Sequence, residues 1–82
     1  MNRGEALSLR RTPIDSTSLA TVGYDPSRAI LEVEFHGGRV YRYFGVPRRR
    51  YEDLLRAESA GRFLNTEIKG TYPFAPAPGD SR

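Results

Sequence analysis

The 82-residue sequence contains no cysteine, one histidine and a single lysine, Lys69. The missing cysteines rule out disulfides and thiolate metal sites, and make a reducing cytoplasm the simplest expected location. The lone histidine, His36, sits beside a glycine turn with no Ser or Cys nucleophile in a recognisable setting. General-base chemistry therefore has little to work with. Long apolar runs are missing too: "MNRGEALSLRRTPID" has no segment of the signal-peptide kind, and nothing approaches bilayer length. No His or Asp cluster has metal-ligand spacing, and the glycines form no Gly-x-x-x-x-Gly-Lys phosphate loop. The expectation is a soluble, cytoplasmic, non-enzymatic domain with no catalytic residue, no metal, no cofactor and no membrane association.

What is present is arginine. Of thirteen Lys and Arg residues all but Lys69 are arginine, in a chain of net charge +3 and pI near 9.7. The planar guanidinium fork suits phosphate and carboxylate recognition. A GC-rich genome produces the same bias without any function, so composition alone does not decide.

One compact domain is expected at this length. Residues 1–13 read as a disordered N-terminal arm and 75–82 as a disordered, proline-rich tail, leaving 14–74 as the folded unit. "SLATVGYD" is strand-forming and ends at the turn signal "DPSR". "AILEVEFH" alternates, with Leu31, Val33 and Phe35 on one face and Glu32, Glu34 and His36 on the other. Gly37-Gly38 then suits a two-residue hairpin loop, and "RVYRYFGV" supplies a third strand. That loop pairs Glu34 with Tyr41, Val33 with Arg42, Glu32 with Tyr43 and Leu31 with Phe44. It predicts a core face of Leu31, Val33, Phe35, Val40, Phe44 and Val46, with Arg42 as an intruder. It turns Tyr41 and Tyr43 to the less apolar face, beside Glu32 and Glu34.

Pro47 suits the start of a helix carrying Tyr51, Leu54 and Leu55 toward the sheet. Ser59 can cap a second short helix with Phe63, Leu64 and Ile68, stopped by Gly70, after which Tyr72 or Phe74 packs back. The predicted class is α+β: a three-stranded antiparallel meander followed by two short helices on one face.

Two features point to binding. Tyr41 and Tyr43, placed on an exposed strand face, would form a stacking platform for unpaired bases, with Arg39 and Arg42 nearby. The carboxylates of Glu32 and Glu34 beside them count against phosphate. Arg48, Arg49 and Arg50 fill a helix first turn, where free N–H groups and the macrodipole already favour anions. The alternative to each is structural: tyrosine covers a thin sheet well, and the arginines form a solvated helix start.

In order, "STSLATVGYD", "LEVEFHGGRVYRYFGVP" and "YEDLLRAESAGRFLNTEIKGTYP" resemble the KTSC domain. This small module is named for its place at the C-terminus of some lysyl-tRNA synthetases and also occurs as a free-standing bacterial protein. The resemblance spans roughly 14–73. It rests on Tyr41-Arg42-Tyr43, Gly23-Tyr24-Asp25, Val46-Pro47, Ser59 with Gly61, Asn65 and Tyr72-Pro73. The hydroxyl run Ser16-Thr17-Ser18 and the pair Phe63-Leu64 depart from the usual pattern. The resemblance implies RNA binding only through the synthetase context, which is domain company and not chemistry. Two partner classes follow: RNA or another polyanion, read by Arg39, Tyr41, Arg42, Tyr43, Arg48, Arg49 and Arg50; or a protein partner or second copy, docked on the tyrosine face or a sheet edge.

Overall fold

The computed structural model describes residues 9–78. The elements are β1 (Thr12–Pro13), β2 (Leu19–Asp25), β3 (Ile30–Phe35), β4 (Val40–Phe44), α1 (Arg48–Arg56), α2 (Ala60–Phe63) and β5 (Phe74–Pro76). A π-helical turn, Leu64–Ile68, continues α2. The sheet order is β1-β2-β3-β4-β5, and every neighbouring pair is antiparallel. The three central strands form as the alternation predicts, but the sheet has five strands, not three. Thr12–Pro13 belongs to it, as do Ala75 and Pro76 of the expected tail; residues 1–8 and 79–82 lie outside the described residues. The two additions contain proline, so local propensity argues against them. They form because the β2 and β4 edges offer unpaired backbone groups; Ile14 N–H donates to Ala20 O and Ala77 N–H to Val40 O. Each edge of the finished sheet then carries a proline, which has no N–H to offer a further strand.

The β3–β4 hairpin decides which residues face the helices. Its loop has three residues, not two. Gly38 adopts φ +98° while Gly37 stays outside the left-handed region, and Gly38 N–H donates to Phe35 O at 2.8 Å. A two-residue type I′ turn needs positive φ at both positions, whereas a type I turn closed by one left-handed residue needs it once. The register moves accordingly. Leu31 pairs with Tyr43, Glu32 with Arg42, Val33 with Tyr41 and Glu34 with Val40. Because side chains alternate, this single step exchanges the two faces of β4.

The helix-facing layer is built from Leu19, Val22, Leu31, Val33 and Tyr43 of the sheet, closed by Val46, Leu54, Ala60, Leu64 and Ile68. Burying each large aliphatic side chain contributes roughly 1.5–3 kcal/mol. Tyr51 stacks on Tyr24 at 5.2 Å between centroids, and the Tyr24 hydroxyl donates to Val46 O, tying the strand to the start of α1. Leu55 is not part of this layer. It is 47% exposed, because it sits about 100° around the helix from buried Leu54. Phe44, expected inside, is also exposed, and Val40 is buried on the opposite face.

Ser59 caps α2 by accepting from Arg62 N–H, and Gly70, at φ +85°, terminates the helical segment. Gly61 lies against Ser18: a Cβ there would come within 2.9 Å of its Oγ. Ser16 Oγ accepts from the N–H groups of Ser18 and Leu19. Thus Ser59 and Gly61 of the sequence pattern have structural duties.

The β2–β3 turn contains Ala29 at φ +56°, the one non-glycine residue with positive φ among the described residues. Left-handed backbone costs an L-residue about 1–2 kcal/mol, and glycine's extra entropy loss is about 0.5–1 kcal/mol. Ala29→Gly should therefore raise the urea midpoint modestly and Ala29→Val lower it. A lower midpoint for the glycine variant would contradict this account.

Candidate functional site

The register places Tyr41 and Tyr43 toward the helices, which corrects the exposed-platform expectation. Tyr43 is 2% exposed and cannot stack on a base. Burial, and secondarily its neighbour Tyr41, hold its phenol above the ordinary tyrosine value of 10.0. Tyr41 is half-buried. It makes edge contacts with Phe35 at 6.0 Å and Phe74 at 5.7 Å, and its hydroxyl accepts from Arg39 Nη1 at 3.4 Å. Phe74 also lies against Tyr43, 5.6 Å between centroids. The result is an aromatic cluster of Phe35, Tyr41, Tyr43 and Phe74 at the β4–β5 edge, with Arg39 beside it. Phe74 is 56% exposed and was absent from the sequence-derived set, because at the end of the expected folded unit it reads as a ring packing back, and the residues after it carry no strand period.

Arg42 is not a core intruder. It lies on the outer face of the sheet, 6% exposed, and its Nε donates to Glu32 Oε1 at 2.8 Å; Glu32 is 3% exposed. Arg11 Nη1 reaches the other carboxylate oxygen at 2.6 Å. The pairing row Gly23–Glu32–Arg42–Ala75 runs straight across four strands. Gly23 is needed there, since a Cβ would lie 2.5 Å from Arg10 O and 3.0 Å from Arg11 Cγ. Glu34 shares the outer face and accepts from Thr21 Oγ1 at 2.9 Å. The opposite charges of Glu32 and Arg42 are the signal that identifies the register: the two-residue loop would set Arg42 against Val33 in the core.

The helix start is where the sequence puts it. Pro47 is the N-cap, no side chain caps α1, and the first turn holds no acid. Two of its arginines are engaged. Arg48 pairs with Glu52 at 3.4 Å. Arg50 pairs with Asp53 and Glu67 at 3.7 and 3.6 Å and lies 6.0 Å from the centre of the Phe63 ring. Arg49 is exposed. The structure therefore brings Arg39 and Tyr41 together, buries Tyr43, removes Arg42 to the other face, and leaves the three helix arginines as a separate group.

His36 is fixed by Nε2 on Ser16 O at 2.8 Å. Two clefts of about 250 and 210 Å3 flank Ser59, and neither is lined by a residue of the sequence-derived set. Among the described residues no three His, Cys, Asp or Glu side chains gather as a metal site, and no helix is long and apolar enough to cross a membrane.

Two outcomes follow. Breaking a buried ion pair from one side strands the other charge, at a cost of about 3–5 kcal/mol. Glu32→Ala and Arg42→Ala should each destabilise strongly, and the double variant by much less than their sum, as read from urea unfolding. The tyrosine effect has its own sign. Burial raises the phenol values of Tyr24 and Tyr43, so the folded state holds those protons more tightly. Their contribution is complete below the unfolded value near 10 and is lost as pH rises through the folded values. Stability should fall above about pH 10, and Tyr43→Phe should flatten that fall.

The KTSC domain family model matches residues 15–72. A protein of Tsukamurella paurometabola is 46% identical over 60 residues, covering 73% of this chain and 90% of its own length. One from Stutzerimonas stutzeri is 46% identical over 61 residues, covering 74% and 86%. A lysine–tRNA ligase of Nostoc punctiforme is 43% identical over 51 residues, which are 62% of this chain and 9% of the ligase. The crystal structure of a KTSC domain protein from Yersinia pestis superposes with a TM-score of 0.78 at 36% identity, covering 84% of this chain and 97% of that one. The chain belongs to the KTSC domain family.

Proposed function

We propose that this domain is a small binding module for RNA or a related polyanion, held by arginine contacts and performing no chemistry of its own. The observation that carries this reading is the exposed guanidinium of Arg39 at the rim of an aromatic cluster, donating to the Tyr41 hydroxyl. Arg49, exposed at an uncapped helix start, offers a second cation where N–H groups already favour anions. Net charge of +3 favours approach to a polyanion. Relatives within lysine–tRNA ligases supply the same suggestion from domain company. A bacterial cytoplasm is the setting in which such a module would meet RNA.

A docking face for protein is the second reading, favoured by the exposure of Phe44, Leu55 and Phe74. Its sheet-edge form is weakened by Pro13 and Pro76 on the two outermost strands. The two readings separate by salt. Binding to a single-stranded oligonucleotide should weaken with a log–log slope of about −0.7 per phosphate contact. Removing both Arg39 and Arg49 as alanine variants should flatten the slope by about 1.4. An unchanged slope and affinity overturn the polyanion reading. Salt-indifferent association lost in Tyr41→Ala would establish the protein reading.

A further inference from the structure

We infer that Phe74 is the base-stacking ring of this domain and that its ligand is a single strand with unpaired bases. This rests on the RNA reading above and adds the residue and the class of nucleic acid.

Phe74 is an aromatic ring held out to solvent by a rigid support. It is 56% exposed, yet β5 fixes its position on both sides: Phe44 N–H donates to Pro73 O at 2.9 Å, and Ala77 N–H to Val40 O at 3.0 Å. Pro73 and Pro76 restrict the backbone further. Beneath the ring lie Tyr43, tilted by 35°, and the edge of Tyr41, at 80°. A ring held this way has lost much of its freedom before any ligand arrives, which is the preorganisation that favours binding. Aromatic side chains stack on any base through its π-face.

The electrostatics now fit as well. Glu32 and Glu34 point away, on the outer face, where Arg11, Arg42 and Thr21 hold them. The cation nearest the cluster in the bonding network is Arg39, one ring away through Tyr41. A base on Phe74 would thus carry its phosphate toward the Arg39 guanidinium and not toward Glu32 or Glu34. A duplex keeps its bases stacked internally and cannot present one to a single ring at a sheet edge, whereas an unpaired strand can.

The test uses the full chain, an oligouridylate decamer, a duplex RNA of equal length and inorganic polyphosphate, at low and moderate salt. Phe74→Leu keeps an apolar side chain and removes the π-face; Phe74→Tyr keeps the π-face. Phe74→Leu should weaken oligouridylate binding about tenfold, with the salt slope and polyphosphate binding unchanged, and Phe74→Tyr should bind like the parent. Oligouridylate binding that is unchanged in Phe74→Leu but lost with Arg39 and Arg49 removed overturns the stacking role and leaves the RNA reading standing. Preference of the parent for the duplex overturns the single-strand assignment. A parent that binds none of the three probes overturns both.

Discussion

The turn at His36-Gly37-Gly38 governs the molecule. One left-handed residue, Gly38, closes the β3–β4 loop, and every pairing up the hairpin follows from that closure. Glu32 meets Arg42, Leu31 meets Tyr43, and the tyrosines enter the helix-facing layer. Slipping the register by one would carry a guanidinium into that layer and leave Glu32 opposite a phenol. The ion pair in the middle of the hairpin and the turn at its end therefore enforce the same register, the consistency between local and global preferences that a foldable sequence requires.

The outer face then has a character of its own. A carboxylate gripped by two guanidinia, beneath a chain segment crossing at Gly23, covers the sheet with polar groups that satisfy one another. No buried side-chain N or O lacks a partner among the described residues. Such a network gains modest net stability, because desolvation offsets attraction. Its larger effect is discrimination: the alternative arrangement strands a charge, so the sheet has one acceptable pairing.

Much of the fold was legible in the sequence, and the illegible part has definite causes. Alternation in "ILEVEF" and the Asp25-Pro26 turn announced the central strands; Ser59 and Gly70 announced the bounds of the second helical segment. The flanking strands could not be read, since Thr12-Pro13 and Phe74-Ala75-Pro76 owe their conformation to neighbours. The register was ambiguous because β4 has apolar or aromatic residues at both parities, Val40 and Phe44 against Tyr41 and Tyr43. Residue types therefore placed Tyr41, Arg42 and Tyr43 on β4 but exchanged the faces of that strand. Arg39 and Tyr41 stayed together, Arg42 and Tyr43 turned structural, and Phe74, expected to pack back, stands exposed on a strand that the sequence does not announce.

The order of the strands has an architectural consequence. The chain enters the sheet at one outer strand, β1, and finishes at the other, β5. With neighbouring strands about 4.8 Å apart, those strands lie about 19 Å from each other. Insertion into a loop of another protein works best for a unit whose ends are close together. A unit entered at one border and left at the other is better suited to being strung in series, threaded at the end of a larger polypeptide or between two others.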